Sequence, residues 1–110
     1  MLFSLAEARS ALEALRDAGE WPVVTPFARG TMSLKLYAPR GVDDQQPHRQ
    51  DELYVVTAGS GTFVCDEERV AFGPGDVLFA AAGVEHRFED FGDDFETWVV
   101  FYGAEGGEIS

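Results

Sequence analysis

The chain has 110 residues, enough for one domain with its own core. Hydrophobic residues make up 45% and charged residues 25%, which is the balance of a folded globular domain rather than a disordered chain. Eight basic against twenty acidic residues leave a net charge of −12, which argues against nucleic acid and against anionic membrane surfaces as partners, and the single cysteine, Cys65, excludes a disulfide framework or a multi-thiolate site.

The first segment reads as a helix. Ser4 followed by Glu7 is a capping-box pair, and Leu5, Ala8, Leu12 and Leu15 fall on one helical face. Arg16 suits the last turn, and Gly19 suits a left-handed stop. Residues 1–20 are therefore expected as a helix docked on the main domain. Met1-Leu2-Phe3-Ser4 lacks the charged stretch and long apolar run of a signal peptide, and no apolar run is long enough to span a bilayer, so a cytoplasmic protein is expected.

From Trp21-Pro22 onward short apolar runs alternate with turn residues every eight to twelve positions, the spacing of an all-β sandwich or barrel. Met32, Leu34 and Leu36 alternate between Thr31 and Leu36. Strands are expected at Leu53–Thr57, Thr62–Cys65, Val70–Phe72, Val77–Phe79, around His86 and Phe88, and at Glu96–Tyr102. Gly59-Ser60-Gly61, Asp66-Glu67-Glu68 and Gly73-Pro74-Gly75-Asp76 separate them as turns. Nine phenylalanines point to a well-filled interior, and Cys65 reads as a small buried hydrophobe. The acidic stretch Glu89 to Glu96 reads as a solvated loop carrying Phe91 and Phe95 inward. Parity along the strands puts Met32, Leu34, Leu36, Phe63, Phe79 and Trp98 in the interior cavity. The glycine-rich tail, 104–110, is expected to be flexible.

Only two histidines exist, His48 and His86. If the stretch Gln46 to Glu52 is extended, Gln46, His48, Gln50 and Glu52 share one face, and Tyr54 and Val56 continue it. His48 and Glu52 would then lie about 13 Å apart, so a bend near Pro47 is needed before both reach one ion. Imidazole and carboxylate donors together suit Fe, Mn, Ni, Cu or Zn, and two histidines with one carboxylate leave open positions for water, substrate or oxygen. The alternative is two separate structural or surface histidines.

These residues resemble the cupins. Their first motif, G-x5-H-x-H-x3–4-E-x6-G, is matched by His48, Glu52 and Gly59, with Gln46 where the first histidine stands and Gly41 one residue off the opening glycine. Their second, G-x5-P-x-G-x2-H-x3-N, is matched by Gly75, Gly83 and His86, with Ala81 for the proline and Asp90 for the asparagine. The resemblance covers about Gly41 to Asp90. It implies a small double-stranded β-helix, a jelly-roll barrel over residues 21–103 with the short N-terminal helix. It also implies a divalent metal (Fe, Mn, Ni or Zn) at His48, Glu52, His86 and Gln46.

On that basis the expected function is a metal-dependent enzyme, dioxygenase-like or isomerase-like, acting on a small organic substrate such as an enol, a keto acid or a catechol. Tyr54 is the expected substrate-binding hydroxyl. The alternatives are a metal-free barrel that captures a small molecule, and a purely structural protein. A homodimer is expected in each case, because the helix needs a surface to cover.

Overall fold

The computed structural model describes residues 1–109. Helix α1 (Leu5–Asp17) is followed by β1 (Val23–Arg29), β2 (Met32–Tyr37), β3 (Asp51–Ala58), β4 (Gly61–Cys65), β5 (Glu68–Phe72), β6 (Val77–Ala80), β7 (His86–Glu89) and β8 (Glu96–Tyr102). The strands form two antiparallel sheets, ordered β1-β2-β8-β3-β6 and β5-β4-β7. Facing each other, they make the expected jelly-roll barrel. No described helix is long and apolar enough to cross a membrane.

The helix begins where its sequence signal lies. Ser4 is extended, and its hydroxyl accepts a hydrogen bond from the Glu7 amide at 3.2 Å. Ala8 and Leu12 are buried against Leu36 and Ala38, with Leu5, Val24 and Trp98 packed around them. Burying Leu12 contributes about 1.5–3 kcal/mol. Arg9 fastens the helix to β8, its Nε donating to Glu96 Oε1 at 2.6 Å. The apolar stripe of α1 is thus covered by the outer face of its own five-stranded sheet.

That docking corrects the expected cavity lining. Leu36 and Trp98 are register partners under the helix, and Leu34 pairs with Val100 on the same outer face. Met32 and Phe79 are 45% and 50% exposed. Of the six expected lining residues only Phe63 faces inward, in the main core with Tyr54, Phe72, Phe88 and Phe95. Strands β2 and β8 carry apolar side chains on both faces, one for the helix and one for the barrel. Parity alone cannot say which is which. The inner set is the alternate one, with Lys35 opposite Val99 and Glu52 opposite Phe101.

Strand β1 has no clean alternation and contains Pro26, yet it pairs with β2. It lies at a sheet edge, where a missing N–H is tolerated, and its register shifts between Val24 and Phe27. Between β3 and β4 the chain changes sheets at Gly59, whose φ is +81°. A Cβ there would sit 2.6 Å from the Phe95 Cα, so backbone conformation and space both demand glycine.

The tail is held rather than frayed. Asp51, at the start of β3, accepts from the Ala82 amide at 2.9 Å and from the Glu108 amide at 3.0 Å, and the Gly106 amide donates to the Arg49 carbonyl. Ser110, the last residue of the expected flexible segment, lies outside the described residues. The two amide hydrogen bonds hold the Asp51 carboxyl below the usual aspartate range.

Two outcomes follow from this packing. Gly59→Ala should lower stability by about 2 kcal/mol or more, read as a shift in the urea midpoint without a change in slope. Because the Asp51 carboxyl is depressed in the folded state, its contribution is present at neutral pH and is lost as pH falls through its folded value, below the ordinary aspartate range. Hydrogen exchange should therefore show Asp51→Asn releasing the Glu108 amide about tenfold at pH 7, with little further effect at strongly acidic pH.

Candidate metal centre

The site sits where β3, β7 and the irregular segment 38–50 meet. Glu52 is the second residue of β3 and only 1% exposed, His86 opens β7 and is 2% exposed, and His48 is half-buried. Glu52 Oε2 lies 3.0 Å from His48 Nδ1 and 2.9 Å from His86 Nε2. The expected bend is real: residues 42–48 form no strand, and His48 turns back onto Glu52 instead of lying a strand's length away. The Gly83 amide holds this turn by donating to the His48 carbonyl at 2.8 Å. Among the described residues, His48, Glu52 and His86 are the one group of three such side chains converging with donor atoms within 4.8 Å of one another.

His86 and Glu52 are oriented from behind. His86 Nδ1 is 2.9 Å from the Val84 carbonyl, which makes Nδ1 the protonated nitrogen and leaves the Nε2 lone pair facing Glu52. Nε2 is buried and completes no hydrogen bond, because Oε2 is near it but poorly aligned. Glu52 Oε1 accepts from the Tyr54 hydroxyl at 2.9 Å. A buried imidazole lone pair beside a carboxylate oxygen is an arrangement that needs a proton or a cation between them. The spacings of 2.9 and 3.0 Å are those of adjacent donors on one ion with bonds of about 2.1 Å. The residues present therefore fit a divalent transition metal.

The electrostatics agree. Burial pushes the Glu52 carboxyl up, but the nearby His48 and His86 outweigh it, and the group titrates below the usual glutamate range. Burial pushes His86 down, while Glu52, the Val84 carbonyl and Asp43 raise it further, above the ordinary histidine value. Tyr54 is driven well above the usual phenol range by burial and by the Glu52 charge, so its proton stays on the hydroxyl.

A cleft of about 100 Å³ opens beside the cluster, with Trp21, Lys35, Tyr37, Gln45, Val99 and Phe101 among its walls. Tyr54 reaches this cleft, but its hydroxyl is engaged by Glu52, so the structure gives it the role of holding that carboxylate. Gln46 corrects the expected ligand set. It is exposed, and its amide reaches only the Asp44 carbonyl at 3.5 Å. Its neighbour Gln45 faces the cleft instead, because alternation holds only in a strand and this segment is not one.

Sequence reasoning also missed Asp43. It is 4% exposed and accepts from the Tyr37 hydroxyl at 2.6 Å, from Gln45 Nε2 at 2.6 Å and from the Phe88 amide at 2.8 Å. These bonds pin segment 38–50 to β2 and β7. No periodic signal marks such a residue, since its partners are far apart in the chain. Asp43→Asn puts an amide donor among three donors and should cost about 2–3 kcal/mol, measured by chemical unfolding.

Residues 33–102 match the model of the cupin domain family. An uncharacterized protein of Streptomyces coelicolor is 35% identical over 92 residues, covering 82% of this chain and 88% of that protein. Among solved structures, a cupin-2 domain containing protein from Shewanella frigidimarina superposes with a TM-score of 0.62 at 17% identity, over 73% of this chain and 78% of that one. A putative mannose-6-phosphate isomerase from Ralstonia eutropha does so with a TM-score of 0.61 at 20% identity, over 74% and 85%. Structural likeness at these identities speaks to the fold, and the family match spans the strands that carry the histidine–glutamate cluster: the chain belongs to the cupin domain family.

Proposed function

We propose that the barrel holds one divalent transition metal (Fe, Mn, Ni or Zn) at His48, Glu52 and His86, and is a metal-dependent enzyme acting on a small organic substrate. The observation that carries this is the convergence of two imidazole nitrogens and one carboxylate oxygen beside an open cleft, with His86 Nε2 buried and unpartnered. A bound ion would supply Lewis acidity toward a substrate oxygen and, if iron or manganese, access to redox chemistry.

The chain's own residues provide placement. Val84 and Tyr54 keep the imidazole of His86 and the carboxylate of Glu52 in fixed orientation. Trp21, Val23 and Val99 among the cleft walls favour an apolar substrate portion. Neither Tyr37 nor Tyr54 is available as a proton donor, since each gives its hydroxyl proton to a carboxylate. His48 is the member of the cluster that is partly open to the cleft.

Elemental analysis of protein purified without chelator or histidine tag should find about one ion per chain, and His48→Gln should lose it while keeping the native circular dichroism. The ion supplied at about 100 times its Kd should stabilise the folded chain by about 2.7 kcal/mol. Absence of metal after anaerobic reconstitution with Fe, Mn, Ni and Zn would instead favour a metal-free binding barrel.

A further inference from the structure

Lys35 is the only lysine in a chain with twenty acidic residues. Among the described residues it forms no ion pair, as is true of Arg16, Arg29 and Arg40, whereas Arg9, Arg49, Arg69 and Arg87 do. Its strand register turns it inward, opposite Val99 and away from the helix-covered face. It is half-buried, and its ammonium lies 5.3 Å from the centre of the Phe101 ring, which itself packs edge-on to His48 at 5.0 Å. Lys35 and His48 line both the cleft at the cluster and the adjoining groove of Ser33, Arg49 and Gln50.

An inward lysine in so acidic a protein calls for a reason. Lysine is ordinarily among the most exposed side chains, and the face of one phenylalanine offsets only part of the loss of water. The acidic groups nearest the cleft are already engaged: Glu52 by two histidines and Tyr54, Asp43 by Tyr37, Gln45 and the Phe88 amide. That leaves the Lys35 ammonium free to meet a negative charge supplied from outside the chain.

We infer that the cleft takes a small organic monocarboxylate, with Lys35 as the residue that selects for its charge. The cleft is small, and its Trp21, Val23 and Val99 walls suit a short alkyl portion rather than a sugar. A 2-hydroxy or 2-oxo acid fits best, since its second oxygen would face the His48–Glu52–His86 cluster. That last point rests on the proposed metal site, whereas the Lys35 contact does not.

The test compares pyruvate, lactate and butyrate with their uncharged amides, by titration against tryptophan fluorescence and by calorimetry, in metal-free and zinc-loaded protein. The acids should bind about tenfold more tightly than the amides. Lys35→Met should remove that preference with its melting temperature and zinc binding unchanged, and Lys35→Arg should restore part of it. A Lys35→Gln variant serves the same purpose should the methionine variant fold poorly. Equal binding of acids and amides, an undiminished preference in both neutral variants, or no binding of any of the three acids would overturn the inference. Failure of the wild-type protein to bind zinc would count against the metal reading alone, and the acid-to-amide ratio in metal-free protein would still judge Lys35.

Discussion

A carboxylate 1% exposed inside a β-barrel is the constraint around which the rest of this structure is arranged. Taking an isolated charge out of water costs far more than any single packing contact returns, so Glu52 can remain ionised only with cationic or hydrogen-donating partners on both oxygens. His48 and His86 face Oε2 and Tyr54 holds Oε1. To bring His48 there, segment 38–50 must fold back across the barrel mouth instead of continuing β3. That in turn leaves the segment without ladder hydrogen bonds, and Asp43 replaces them with side-chain bonds to β2 and β7. One buried charge thus accounts for a second, and together they shape the cleft.

The division of labour between the sheets follows the same logic. The three-stranded sheet contributes Phe63, Phe72 and Phe88 to an aromatic core closed by Tyr54 and Phe95. His86 lies at the edge of that core, where burial is nearly complete. The five-stranded sheet serves two masters: its inner face builds the cleft, and its outer face takes α1 through Leu36 and Trp98. This is why its strands are apolar on both sides.

Much of the architecture was legible in the sequence, and the exceptions share a cause. Ser4 and Glu7 marked the helix start, and turn glycines marked the strand limits, because those signals are local. His48, Glu52 and His86 could be associated through motif spacing, which encodes a fold rather than a distance. Parity failed wherever its premise failed. In β2 and β8 two apolar faces make inside and outside equivalent by pattern, and the alternation of Met32, Leu34 and Leu36 masks the inward place of Lys35. At Gln45 and Gln46 the chain is not a strand, so the motif position of Gln46 does not fix where its side chain lies, and Gln45 is the one that lines the cleft. Strand β1 escaped notice because an edge strand with Pro26 and a register shift carries neither alternation nor continuity. Asp43 is a purely tertiary residue, identifiable only once Tyr37, Gln45 and Phe88 are seen around it.

The segment bearing His48 is fastened at several points: Asp43 to the Phe88 amide, the His48 carbonyl to Gly83, the Arg49 carbonyl to Gly106, and Gln50 to the carbonyls of Thr31 and Gly103. A donor set fastened in this way resists moving outward, so the proposed ion would be selected by radius as well as by chemistry. Ions content with bonds near 2.0–2.2 Å match it, whereas calcium, which needs about 2.3–2.6 Å and six to eight oxygens, finds both the wrong spacing and the wrong atoms.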